Sequence, residues 1–209
     1  GECRPVRGML GLYPASPDLH IGPSIVLRKL RVFQALDHTP IFLVGDFTAR
    51  IGDPSGKKKT RPALEPEQVK QNAATYVDQV RLILEVDRAE IRYNSEWTDE
   101  LRPAEFVRLC SSYTVARMLE RDDFNNRYTG GEPTSIHEFL YPMVQGYDSV
   151  AVHAAVERGG TDQKLKLLVG QQRQPDLGLN PHTVHPHPLA RGHAGCHQTA
   201  DRRGNYKAI

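Results

Sequence analysis

The sequence predicts an α/β fold in which helices flank a parallel β-sheet. Short apolar runs of strand length alternate with longer segments whose apolar residues recur at helical spacing. The run at residues 40–44 is almost continuously apolar, which is typical of a strand buried on both faces. Strand, helix and strand in succession predict a parallel sheet of the nucleotide-binding type.

The first half of the chain predicts two helices around one buried strand. Residues 23–36 place their apolar side chains on one helical face, and Pro23 suits a first helical turn because no N–H is needed there. Residues 40–44 form the strand. Residues 45–62 are rich in glycine and basic residues and predict a loop, and residues 65–86 return to helical spacing.

The second half continues the alternation, although its segments are shorter. A proline inside the helix predicted at 136–147, Pro142, does not break the helical spacing around it. The sequence predicts, in order, a strand at 90–93, a helical region at 103–121 broken near Tyr113, a helix at 136–147, an extended segment at 149–154 and a helix at 162–169.

Composition excludes several classes of protein. Hydrophobic residues make up 39% of the 209 residues, which supports a packed core, and a net charge of +2 is too small to indicate a nucleic-acid binder. No window approaches the roughly 18 apolar residues of a membrane span. The first residues do not form a signal peptide. Three distant cysteines argue against a disulfide framework and favour a reducing, cytoplasmic compartment.

The chain changes character near residue 170. Residues 171–209 hold five of the nine histidines and four of the fifteen prolines, with almost no apolar periodicity, so we expect them to be poorly ordered. We therefore divide the chain into a domain at 1–170 and an atypical segment at 171–209. The histidine spacing matches no zinc pattern, so no metal site is predicted.

Two segments have the chemistry of a phosphate site. Residues 17–23 lie where a strand end turns into a helix, and a helix N-terminus attracts phosphate; there His20 could donate a hydrogen bond and Gly22 permits close backbone approach. A capped helix start explains the same residues. Residues 45–61 are not a P-loop, because the glycine spacing and the residue after the lysine are both wrong.

What remains in that second segment is an acidic residue at a strand end, followed by a basic stretch. Asp53 could hold a ligand ammonium, while Lys57 and Arg61 could close over a polyphosphate. The alternative is a solvated basic loop.

Two further segments suggest a specific polar pocket. Tyr141, Gln145 and Asp148 share one helical face, and Asp148 could accept a hydrogen bond from a phenol; a helix end that exposes polar groups is the alternative. Gly160 and its neighbour Gly159 allow close backbone approach to a ribose or a ring. Asp162 could accept from ribose hydroxyls, and Gln163 could bind a carboxylate or amide, although an N-cap explains the same pattern. Three other residues, Phe33, Trp97 and Cys110, are assigned to the core.

Taken in order, these segments closely resemble the bacterial tyrosyl-tRNA synthetases, a class I aminoacyl-tRNA synthetase family. The resemblance covers about residues 8–170. The matching segments are DLHIG (18–22), VLRKL (26–30), GDFT (45–48), IGDPSG (51–56), RYNSEW (92–97), YTVARMLERDDF (113–124), HEFLY (137–141), QGYD (145–148) and GGTDQ (159–163). The tryptophanyl relatives share the fold, but the pattern at 141, 145 and 148 is tyrosine-specific.

The resemblance implies a Rossmann-like catalytic domain with a helical insertion at about 103–147, which forms much of a homodimer interface. It implies activation of tyrosine with ATP and Mg²⁺ to tyrosyl-adenylate, followed by transfer to tRNA(Tyr). Asp53, Tyr141 and Gln145 would bind the tyrosine ammonium, Asp148 would accept from the phenol, and Gln163 would lie along the tyrosine.

The resemblance also implies an ATP site. The residues concerned are His20 and Gly22 beneath ATP, Gly160 and Asp162 near its ribose, and Lys57 and Arg61 in a loop that clasps pyrophosphate. Of these, His20, Lys57 and Arg61 are the expected catalytic residues.

The sequence departs from the family at three places. Pro23 replaces the second histidine of the family's His-Ile-Gly-His signature, and Tyr13 stands where the family has an aspartate. The Lys-Met-Ser-Lys-Ser loop is replaced by residues 198–202, which places Asp201 where a phosphate-binding lysine is expected. Loss of one transition-state donor costs about 100-fold in rate.

We hypothesise that residues 171–203 are a frame-shifted reading of a synthetase gene. The anticodon-binding domain and an N-terminal helical segment are expected to be missing, which makes the chain a catalytic-domain fragment with impaired activity. The alternative is a non-catalytic paralogue that binds tyrosine or a protein partner. A generic nucleotide-binding module, by contrast, would show no preference for tyrosine over phenylalanine.

Overall fold

A computed structural model describes residues 4–14, 17–19, 21–54, 64–175 and 178–188. Within these ranges the strands are β1 (Arg7–Leu12), β2 (Thr39–Val44), β3 (Glu90–Tyr93), β4 (Val156–Gly160) and β5 (Thr183–His187). They form one sheet in the order β3-β2-β1-β4-β5, and every adjacent pair is parallel. The α/β prediction with a parallel, Rossmann-like sheet is confirmed.

Helices connect these strands. They are α1 (Ile21–Ala35), α2 (Asp46–Ile51), α3 (Pro66–Val80), α4 (Ser95–Thr98), α5 (Pro103–Cys110), α6 (Val115–Met118), α7 (Asp122–Thr129), α8 (Ile136–Ala151) and α9 (Lys164–Arg173). Two 3₁₀ turns lie at Val86–Arg88 and Thr161–Gln163. None of the helices in these ranges has the length and apolar character that crossing a membrane requires.

Both faces of the sheet are covered by apolar side chains. Successive residues of β1 and β2 point to opposite faces, which divides the core into two clusters. One cluster contains Leu10, Phe42 and Val44 with residues of α1 and α3, and the other contains Met9, Ile41 and Leu43 with Val152 and Ala154. This two-sided burial explains why β2 is readable as a continuous apolar run.

The N-terminus of α8 is fixed by a buried ion pair. The Glu138 carboxylate accepts from Arg127 Nη1 at 2.5 Å and Nη2 at 2.9 Å, and also from the Ser135 backbone N–H at 2.9 Å. Both charged side chains are at most 5% exposed. Glu138 thereby caps the helix that carries Tyr141, and it anchors that helix to α7.

Helices α8 and α9 approach closely because each helix has a glycine at the contact with the other helix. A Cβ at Gly146 would lie 2.6 Å from Val169 Cγ1, and a Cβ at Gly170 would lie 2.3 Å from Ser149 Oγ. Neither distance is compatible with a side chain. This contact sets the spacing between the two helices that line the cavity described below.

Three expectations from the sequence need correction. The segment 45–62 was predicted to be a loop, but it begins with helix α2. The free backbone N–H of Phe47 in the first turn of α2 donates a hydrogen bond to Asn94 Oδ1 at 2.8 Å, far along the chain. The predicted extended segment at 149–154 continues α8 to Ala151, because Ser149 and Val150 are buried in the packed helix. Both outcomes depend on tertiary contacts that local spacing does not report.

The third correction concerns residues 171–209. In the described part of that segment, α9 continues to Arg173 and β5 joins the sheet beside β4. The turn between them is held by Gln174, whose Oε1 accepts from the His182 N–H and whose Nε2 donates to the Ala154 carbonyl at 2.8 Å. Histidine and proline obscured the strand pattern, although Pro186 is compatible with a strand at a sheet edge.

Candidate active site

A cavity of about 240 Å³ opens at the carboxyl ends of β1, β2 and β4. Its walls come from β1, β4 and the first turn of α1, with α8 and α9 on the other side. From β1 the chain adds β2 and β3 on one side of the sheet and then β4 and β5 on the other side. Open α/β sheets bind ligands at such a switch point, outside the carboxyl ends of the strands. The predicted residues that line it are Gly22, Asp53, Tyr141, Gln145, Asp148, Gly160 and Gln163.

Asp148 lies at the buried end of this cavity. Its side chain accepts from Trp97 Nε1 at 3.0 Å and from Asn94 Nδ2 at 3.2 Å, and the residue is only 2% exposed. Burial raises the pKa of the Asp148 carboxyl well above its ordinary value, and the two donors oppose that rise. An ionised carboxylate has about four lone-pair sites and a protonated carboxyl keeps part of them, so acceptor capacity remains for a ligand hydroxyl in either state.

Asn94 and Trp97 belong to the site, and the sequence reasoning missed their roles. Trp97 packs against the Met9 cluster as expected, but its indole also donates to Asp148. The signal was available: Asn94 directly follows β3, Trp97 lies in the short helix α4 just beyond it, and the carboxyl ends of parallel strands meet at the same sheet edge.

Gln145 lines the cavity and has a buried acceptor. Its Oε1 is inaccessible to solvent and has no hydrogen-bond partner within the described residues. A buried amide oxygen without a partner is costly, so this atom is suited to accept from a ligand donor.

Asp53 lies in the cavity as predicted, but a lysine already contacts it. Lys166 Nζ lies 2.9 Å from Asp53 Oδ1, and the two side chains are 3% and 8% exposed. Nζ also lies 4.8 Å from the centroid of the Tyr141 ring. Burial lowers the pKa of Lys166, while the Asp53 carboxylate opposes that fall. Lys166 was not a predicted site residue, although it follows Gln163 by one helical turn.

A third buried acidic residue lines the cavity from the sheet. Glu157 on β4 is 4% exposed, and its Oε2 lies 3.1 Å from His182 Nε2. Burial raises the pKa of Glu157, and His182 opposes the rise. Neither residue was singled out from the sequence, since the strand and its neighbour β5 had to be paired first.

The residues predicted to bind ATP lie partly within the described ranges. Gly22 and Pro23, in the first turn of α1, line the cavity together with Gly160. The backbone of Asp162 lies in the 3₁₀ turn that opens α9. The predicted catalytic residues, His20, Lys57 and Arg61, lie outside the described residues. Among the residues that are described, no group of three or more His, Cys, Asp or Glu side chains is arranged to hold a metal ion.

Sequence comparison assigns this fold and cavity to a family. Residues 2–196 match the family model described as tRNA synthetases class I (W and Y). The chain therefore belongs to this class I tRNA synthetase family, as its resemblance predicted. The match extends into the segment that was predicted to be frame-shifted.

Curated proteins similar to this chain include tyrosine–tRNA ligases. The tyrosine–tRNA ligase of Oleidesulfovibrio alaskensis is 55% identical over 206 residues, covering 99% of this chain and 52% of the relative. The enzyme of the same name from Acidithiobacillus ferrooxidans is 52% identical over 208 residues, covering 100% and 51%. The chain thus spans about half the length of the curated relatives it matches.

Solved structures support the same fold. Tyrosyl-tRNA synthetase from Archaeoglobus fulgidus, solved with L-tyrosine, superposes with a TM-score of 0.76 at 21% identity, over 98% of this chain and 61% of that one. The truncated mitochondrial enzyme of Coccidioides posadasii gives a TM-score of 0.76 at 23% identity, over 95% and 63%.

Proposed function

We propose that the cavity binds tyrosine and is the tyrosine-activating site of a tyrosine–tRNA ligase. One observation carries the proposal: Asp148, Gln145, Tyr141, Asp53 and Gln163, from separate parts of the chain, line one cavity at the sheet's switch point. The buried Asp148 accepts from the phenol, and Gln145 Oε1 accepts from the ammonium. Gln163 lies along the bound amino acid.

The reaction needs positioning more than proton transfer. The tyrosine carboxylate, already ionised, forms a bond from its oxygen to the α-phosphorus of ATP, and the bond from that phosphorus to pyrophosphate breaks. Mg²⁺ arrives with ATP and offsets phosphate charge. Gly22 and Gly160 allow the nucleotide close to the backbone, and Asp162 accepts from ribose. His20, Lys57 and Arg61 stabilise the phosphates. A hydroxyl of tRNA(Tyr) then forms an ester with the tyrosyl carbonyl carbon, and the acyl–phosphate bond breaks to release AMP.

Activation is impaired in this chain. Pro23 lines the cavity where the family's second histidine would donate to the transition state, and a proline has no donor. Loss of one such donor costs about 100-fold in rate. Pyrophosphate exchange with tyrosine tests this: Pro23→His should raise the exchange rate, whereas near-normal exchange by the unaltered chain would contradict the impairment.

The same observation favours a second candidate, a non-catalytic protein that binds tyrosine. Calorimetry with tyrosine and phenylalanine, paired with the exchange assay, separates the candidates. Tyrosine binding with exchange supports the ligase, and tyrosine binding without exchange supports the second candidate. Equal binding of both amino acids, or of neither, would contradict both.

A homodimer and a cytoplasmic location complete the proposal. The helical insertion at 103–147 carries four large apolar side chains that are more than half exposed: Val107, Val115, Tyr128 and Ile136. Such exposure is expected of residues that a second copy covers. Sedimentation equilibrium tests the dimer, and a monomer at all concentrations would refute it.

A further inference from the structure

A buried lysine pairs with one of the acidic residues that line the cavity. Lys166 lies on α9, one turn beyond Gln163, and its side chain is 3% exposed. The Nζ atom lies 2.9 Å from Asp53 Oδ1, a distance at which a charge-assisted hydrogen bond forms. The chain therefore supplies its own ammonium to this carboxylate.

The same cation also contacts a second residue of the proposed ammonium site. Nζ lies 4.8 Å from the centre of the Tyr141 ring, within the range of a cation–π interaction. Two of the three side chains proposed to bind the tyrosine ammonium are thus engaged by Lys166. The third, Gln145, keeps its buried Oε1 without a partner in the described part of the chain.

We infer that the Lys166 ammonium occupies the ammonium subsite, so the cavity favours a 4-hydroxyphenyl carboxylate without an α-ammonium over tyrosine. The inference rests on the proposed function, which supplies the phenol and ammonium subsites. An incoming α-ammonium must either displace Nζ from Asp53 or approach a like charge in a buried space, and like-charge juxtaposition at such a site is strongly unfavourable. A ligand without the ammonium meets neither cost, and its carboxylate is drawn towards Lys166.

Calorimetry with matched ligands tests this without altering the chain. Tyrosine and 3-(4-hydroxyphenyl)propanoate differ only in the α-ammonium. We expect the unaltered chain to bind the propanoate at least about 10-fold more tightly, the equivalent of roughly 1.4 kcal/mol. Tighter binding of tyrosine would overturn the inference and leave the proposed function standing. Binding of neither ligand would overturn both.

A pair of variants on α9 provides the second readout. Lys166→Met removes the positive charge beside Asp53 and retains most of the volume; it should strengthen tyrosine binding at least about 10-fold and abolish the preference for the propanoate. Lys164→Met removes a charge from an exposed position on the same helix and should leave the preference unchanged. An unchanged preference in Lys166→Met, or an equal change in both variants, would overturn the inference. Should Lys166→Met not fold, the ligand comparison on the unaltered chain decides alone.

Discussion

Replacing Asp148 with asparagine keeps its shape and removes one acceptor. Trp97 Nε1 and Asn94 Nδ2 both donate to Asp148, at 3.0 and 3.2 Å. Neither donor can adapt. An indole nitrogen only donates, and the Asn94 amide is fixed because its Oδ1 accepts from the Phe47 N–H at 2.8 Å. The new amide offers one oxygen and one NH₂ group, so one buried donor must face another.

The expected loss of unfolding free energy in Asp148→Asn follows from the number of donors and acceptors, and it depends on pH. One buried donor without a partner costs about 1–3 kcal/mol of unfolding free energy. Burial raises the folded-state pKa of Asp148 well above 3.8, so the folded protein binds this proton more tightly than the unfolded chain. The unaltered protein therefore loses stability as pH rises from about 3.8 through the raised pKa, and the variant lacks this loss. The cost of Asp148→Asn should be largest at acid pH and shrink as pH rises.

Urea unfolding from about pH 5 to pH 9 measures both the cost and its trend. Asp99→Asn is the matched control, because Asp99 is half-exposed and pairs with Arg50 at the surface; we expect a change below about 1 kcal/mol. Equal stability of Asp148→Asn and the unaltered chain at every pH would refute the hydrogen-bond argument. A cost that grows with pH would refute the assignment of a desolvated carboxyl.

Two further substitutions test the packing that positions the site. Glu138→Gln removes the carboxylate charge that contacts the buried Arg127 and should lower the unfolding free energy by about 3–5 kcal/mol, whereas Glu120→Gln at an exposed pair should change it by less than about 1 kcal/mol; similar losses in both would contradict the role of burial. Gly146→Ala should cost about 1–3 kcal/mol in the same assay because its Cβ would lie 2.6 Å from Val169, and a neutral effect would show that α8 and α9 separate freely.

The parts of the fold that the sequence predicted are those specified by local chemistry. Residues 40–44 are apolar throughout because β2 is buried on both faces, and α1 and α3 show their buried stripe directly. Several site residues could also be identified from the sequence. Tyr141, Gln145 and Asp148 lie at helical spacing in the sequence, and all three line the cavity.

The parts that the sequence did not predict depend on contacts between distant residues. Helix α2 needs Asn94 to accept from its first turn, and β5 is recognisable only beside β4. The pairing of Lys166 with Asp53 joins residues 113 positions apart, so neither could be assigned to the other from spacing. A buried lysine in a helix of mixed polarity gives no local signal.

The central claim is that Asp148 accepts a phenol inside this cavity. Calorimetry with 3-(4-hydroxyphenyl)propanoate and 3-phenylpropanoate tests it most directly, since the two ligands differ by one hydroxyl and neither competes with Lys166. We expect the hydroxylated ligand to bind about 10- to 100-fold more tightly, and Asp148→Asn to reduce this ratio. Equal affinities in the unaltered chain would contradict it.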